Sequence, residues 1–166
     1  MDNNSTIFND LEEKEKLKTL RTLTVLTFIG CGLVYIFAIW GFAAADSRYQ
    51  QMQEAIDNGT VAKLPGFLQS MYTPEKLAQM QKMAENKVPL LIINLICTSL
   101  CLFGAIQMRK LKADGYWMWL IGEILPYFGM AFFVGIGSVT GLFNFIGYAI
   151  IAVFVILYSM QRKYLK

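Results

Sequence analysis

Four long apolar runs, 23–45, 88–108, 116–136 and 139–160, dominate the pattern of hydrophobic and polar positions along this chain. Each is at least 20 residues long, and a helix needs roughly 20 apolar residues to cross the hydrocarbon core of a bilayer. The runs are too long for the tilted strands of a membrane barrel, which take about 9–11 residues of alternating character. In lipid the backbone must satisfy its own hydrogen bonds, which leaves helices. The pattern predicts an all-α fold: a four-helix transmembrane bundle with a short helical extracytoplasmic loop segment. Its expected parts are a cytoplasmic N-terminal helix over 1–22, spans at 23–45, 88–108, 116–136 and 139–160, an outward loop at 46–87, a basic cytoplasmic loop at 109–115 and a tail at 161–166.

Between the first two runs the period is helical. A first piece covers 47–56 and stops at Asn58-Gly59, and a short piece follows Pro65-Gly66. Thr73-Pro74-Glu75 then gives a helix start, with Thr73 as cap and Pro74 at the first helical position. Leu77, Met80, Met83 and Ala84 form an apolar stripe behind it, with Lys76, Gln79, Lys82 and Glu85 elsewhere on the wheel. Such a stripe ordinarily packs across the bundle's outer end or lies at the interface. Leu77, Met80 and Met83 are also candidates for a partner surface, since Met-rich stripes adapt to partner shapes. Pro89 is placed to break or bend the start of the second span. At the N-terminal end, residues 10–20 read as a helix with Leu11, Leu17 and Leu20 near one face and acids ahead of bases, an order that suits the helix dipole.

Charge sets the direction of insertion. Of the 15 Lys and Arg residues, ten lie in the N-terminal tail, the 109–115 loop and the C-terminal tail. The longer 46–87 segment has only Arg48, Lys63, Lys76, Lys82 and Lys87. By the positive-inside rule both termini face the cytoplasm and 46–87 faces outward, in a plasma or bacterial inner membrane. Ala43-Ala44-Ala45 resembles a signal-peptide cleavage site, but the preceding apolar run is far longer than a signal core, so an uncleaved signal-anchor is expected. Tyr116, Trp117 and Trp119 at one end of the third span, and Tyr158 and Tyr164 around the end of the fourth, suit the headgroup level. Asn58-Gly59-Thr60 matches a glycosylation sequon, relevant only in a secretory-pathway host.

Composition narrows the chemistry. Charged residues are 16% of the chain, against about 25% in soluble domains. There is no histidine, which removes the commonest general base and metal ligand. Cys31, Cys97 and Cys101 all lie within spans and imply no disulfide framework; buried thiols of this kind pack as small hydrophobes. No cofactor, metal or nucleic-acid partner is expected.

Polar residues inside the spans are the candidate site. Glu123 is the one ionisable acid or base well inside a run, ~10 Å from its cytoplasmic end at 1.5 Å per residue. An intramembrane acid is a functional hypothesis by default. Tyr127 shares its face, and Pro126 frees a backbone carbonyl nearby. Glu123 either binds a proton or cation, or glues helices together, or reaches toward Arg109 or Lys112. Asn94 and Asn144 stand at similar depth in their spans and are placed to meet across helices. Gly30, Gly104, Gly122, Gly129 and Gly137-x-x-x-Gly141 suit close helix packing.

The stretch Met108-Arg109-Lys110-Leu111-Lys112, with Gly115-Tyr116-Trp117-Met118-Trp119-Leu120-Ile121-Gly122-Glu123-Ile124, resembles a segment of small, uncharacterised four-span bacterial inner-membrane proteins. The resemblance covers 108–124 and implies no activity. The span layout is similar to that of claudins, but the outward loop lacks their cysteines and Gly-Leu-Trp motif. Small multidrug transporters carry their working acid in the first span, which has none here.

The expected function is a non-catalytic subunit or scaffold of a larger membrane complex, with the bilayer and other subunits or a second copy as partners. The rival is a small oligomeric transporter or channel that uses Glu123 as an ion or proton site, with Asn94 or Asn144.

Overall fold

In the computed structural model of the chain, which describes residues 3–69, 72–140 and 142–165, every regular element among the described residues is a helix. The side chains of residues 3–17, Phe67, Leu142 and Phe143 lie outside that description, and with them the expected face of Leu11 and Leu17; Gly141 lies outside it altogether. Helix α1 spans Asn3–Asp57, α2 is a single turn at Gly66–Gln69, α3 spans Pro74–Glu85, α4 Lys87–Arg109, α5 Asp114–Phe133 and α6 Leu142–Gln161. Single 3₁₀ turns lie at Thr60–Lys63, Ile136–Ser138 and Arg162–Tyr164. Three helices are long and apolar enough to cross a membrane: Lys18–Asp57, Lys87–Arg109 and Asn144–Tyr164. Helix α5 falls outside that set, because Tyr116, Trp117, Trp119, Glu123 and Pro126 dilute its apolar character.

The N-terminal helix, the first apolar run and the first piece of the loop are one continuous rod, with no proline to interrupt it. It stops at Asn58-Gly59, where Gly59 takes φ +65, a left-handed conformation that glycine adopts without a Cβ penalty. Leu20, Leu23, Thr24, Thr27 and Cys31 recur at helical spacing and are its buried face. Beyond the apolar run the rod packs against α3, with Met52 buried. Helix α3 starts where expected: the Thr73 hydroxyl accepts from Lys76 N at 3.3 Å and Pro74 follows the cap. Its stripe residues Leu77 and Met80 are half-buried, while Met83 is exposed. Pro89 does not break α4. It sits in the first turn, where a missing N–H leaves no bond unmade.

The most extensive packing joins α4 and α5. Glycines 115, 122 and 129 repeat every seven residues on α5 and turn one face toward α4. A Cβ built at Gly122 would lie 2.6 Å from the Cys97 carbonyl oxygen, one at Gly115 2.6 Å from the Gly104 oxygen, and one at Gly104 2.5 Å from Trp119 N. The two backbones nearly touch, as small residues permit in membrane helices. Gly30 does not play the expected packing role, for no atom lies within 4 Å of a Cβ placed there. The turn between α4 and α5 closes with Leu111 at φ 61, Leu111 N bonded to Met108 O at 2.9 Å and Lys112 N to Gln107 O at 3.1 Å. This is the Schellman ending, with leucine in the position that glycine usually takes.

Helix α6 is held mainly by its aromatic residues. Tyr158 is fully buried against Trp119 with ring centroids 4.6 Å apart, and its hydroxyl is 2.8 Å from the Thr27 hydroxyl. Tyr148 packs against Tyr127 with tilted rings, centroids 5.0 Å apart. Three expected headgroup aromatics are therefore core residues: Tyr116, Trp119 and Tyr158 are buried among neighbours on α1, α4, α5 and α6. Trp117 does keep an open position, 48% exposed, with the Arg162 guanidinium 4.8 Å over its ring.

Candidate functional site

The helices leave a cavity of about 480 Å³ between them. Thr27 and Cys31 line it from α1, Asn94, Thr98 and Cys101 from α4, Glu123 and Tyr127 from α5, and Ser138 and Asn144 from the α5–α6 turn and α6. It lies between the two places where α6 is pinned, Tyr148 on Tyr127 and Tyr158 on Trp119, with Ile150, Ile151 and Phe154 forming the α6 wall. All four polar residues singled out from the sequence thus share one space.

Glu123 is half-buried, and the Cys101 thiol donates to its Oε2 at 3.4 Å. The same sulfur is 3.5 Å from the Trp119 carbonyl oxygen, so one weak donor serves two acceptors. Arg109 does not reach Glu123; its guanidinium sits 5.8 Å from the Phe28 ring centroid. Among the described residues, no Lys or Arg lines the cavity. Pro126, also in the wall, has no N–H to offer the Gly122 carbonyl one turn back, which leaves a backbone acceptor beside the carboxyl.

Asn94 and Asn144 do not bond to each other. Asn94 Nδ2 donates to Leu90 O at 2.9 Å in its own helix, and Asn144 Nδ2 donates to Ser138 O at 2.8 Å in the preceding turn. Local carbonyls outcompete a partner across the bundle. Each amide keeps its carbonyl oxygen as a further acceptor in a residue that faces the cavity. Thr98 Oγ1 likewise donates to Asn94 O at 2.7 Å.

Comparison with protein-family models, curated proteins and solved structures finds no match. The site therefore rests on its own geometry.

Thr27, Cys31, Thr98, Cys101 and Ser138 line the cavity but were not among the site residues expected from the sequence. Thr27 and Cys31 are four apart on α1, on the same face as Thr24, the only small polar positions in a stretch otherwise of bulky apolar residues and glycine; that stripe was the available signal. Ser138 lies in a turn that carried no signal beyond Gly137-Ser138. Cys97 and Cys101 share a face as expected, and that face is the one Gly122 packs on. Among the described residues no three of Cys, Asp and Glu form a group that could hold a metal ion. What the cavity offers is a carboxyl, a freed carbonyl and several hydroxyl and amide oxygens, without a cation to neutralise them. A carboxylate in a largely apolar cavity is costly to leave bare, so this arrangement suits a proton or a small cation surrounded by oxygen ligands.

Proposed function

We propose that the chain is a four-span inner-membrane protein with both ends in the cytoplasm, and that it passes protons or small monovalent cations by way of Glu123. The fourth crossing is α5. It lies along α4 from Gly104 at one end to Ile93 at the other, and a helix of 20 residues in such contact shares the depth of its partner. Its outer face carries Ile121, Ile124, Leu125, Phe128 and Phe132, with Phe132 83% exposed, a surface suited to lipid. The observation that carries the functional reading is the gathering of Glu123, Tyr127, Asn94, Asn144 and Thr27 around one cavity that has no cationic lining residue. Its size is within the ~300–1,000 Å³ usual for small-ligand sites.

The test uses the purified full chain in liposomes with imposed gradients of protons, Na⁺ or K⁺ and an internal indicator dye. Wild-type vesicles should pass at least one of these ions. Glu123→Gln should abolish the flux, and Gly30→Phe should do so by filling the cavity from α1, where a Cβ meets nothing within 4 Å. Wild-type vesicles that pass none of the three ions overturn this reading.

A second reading, a non-catalytic subunit or scaffold, is favoured by the sparse packing of α6 on α1 and α5, which leaves room for a partner helix along that seam. Co-purification of a stoichiometric membrane partner, lost on changing exposed α6 residues such as Ile146 or Val153, would support it.

A further inference from the structure

A second cavity of about 360 Å³ opens between α1, α3 and α4 beyond the Glu123 cavity. Its walls are apolar and include Phe37, Gly41, Met80, Met83 and Leu90, and its rim carries the cations Arg48 and Lys87. The Arg48 guanidinium lies 5.5 Å over the Trp40 ring, and the Lys87 ammonium lies 5.6 Å over the Phe42 ring and pairs with Asp46. Among the described residues Arg48 forms no ion pair, so the rim keeps a net positive charge. An apolar trough ending in two cations beside exposed Trp40 has the chemistry of an amphiphile with an acidic head.

We infer that this groove binds an anionic phospholipid of the outer leaflet. The phosphate sits at Arg48 and Lys87, and one acyl chain lies along Gly41 between α1 and the methionines of α3. The apolar walls disfavour a free hydrated anion, and the net-positive rim favours a headgroup of net negative charge over a zwitterion. The stripe on α3 then has a role: Met80 and Met83 form the flexible wall that takes up an acyl chain of irregular shape. The site shares Val34, Asn94 and Met130 with the walls of the Glu123 cavity but uses none of that cavity's acid chemistry, so it stands or fails separately from ion passage.

The test is native mass spectrometry of the full chain released from bilayers of mixed phosphatidylglycerol and phosphatidylcholine. Wild type should retain phosphatidylglycerol over phosphatidylcholine by on the order of tenfold, because each basic residue near a surface contributes about a factor of five toward acidic lipid. Arg48→Gln with Lys87→Gln should erase the preference. Asp46→Asn should increase it by removing the competing carboxylate. Gly41→Phe should expel both lipids while leaving the fold intact, since no atom lies within 4 Å of a Cβ at that position. Equal retention of the two lipids by wild type, or undiminished retention by Gly41→Phe, overturns the inference. So does displacement of the lipid by soluble glycerol phosphate, which would make the rim a simple anion site.

Discussion

At the scale of single residues, glycine divides into two kinds in this chain. Gly104, Gly115 and Gly122 stand where another helix's backbone fills the space a Cβ would need, whereas Gly30, Gly32 and Gly41 face nothing within 4 Å. Gly122→Ala should therefore destabilise the protein by about 1–3 kcal/mol through overpacking. Gly32→Ala should stabilise it by up to about 1 kcal/mol, since glycine in a helix interior is costly. Unfolding of both variants in mixed detergent micelles, followed by circular dichroism, measures the contrast. Equal behaviour would mean that α4 and α5 are not in backbone contact. The sequence flagged Gly30 and Gly122 alike, because composition cannot say which side of a helix meets a neighbour. Tyr158 gives a second case. Its place near the end of an apolar run suggested the headgroup level, yet its hydroxyl is bonded to Thr27 inside the bundle. Tyr158→Phe should cost about 0.5–1.5 kcal/mol, the usual worth of one such bond, in the same unfolding measurement.

At the scale of elements, the helices follow their apolar periodicity, and their ends follow local chemistry that the sequence carries openly. Thr73-Pro74 starts α3 and Asn58-Gly59 stops α1. Thr73→Ala should lower the protection of α3 amides against hydrogen exchange by about 1 kcal/mol, the usual value of a threonine cap. The joining of the first span to the first piece of the outward loop was not legible, since charged and polar residues after Ala45 are compatible with either a loop or an exposed helix. Ala45→Pro tests that continuity. A proline in a helix interior costs about 3 kcal/mol, so protection of residues 48–57 should fall while that of 23–40 persists. The Leu111 ending was also hidden, because the left-handed position after α4 holds no glycine to announce it.

At the scale of the whole molecule, the all-helical class and its membrane-length helices were plain from the apolar runs, but the cavity was not. Polar residues at similar depth in separate helices can face one space or none, and only the packing of α4 on α5 and the pinning of α6 turn Glu123, Tyr127, Asn94 and Asn144 inward. The proposed orientation predicts that reporter fusions at Lys112 and at the C-terminus are active inside the cell and one at Asp57 is active outside. An outside signal at Lys112 would reverse the insertion and move the Arg48–Lys87 rim to the cytoplasmic leaflet. One feature then links the two aqueous faces. Helix α1 contains 55 residues without interruption, a rod of about 80 Å at 1.5 Å per residue. A swing of roughly five degrees about its midpoint carries each tip about 3–4 Å in opposite directions. Tilted as a rigid body, such a rod would couple its two ends without any loop relaying the motion.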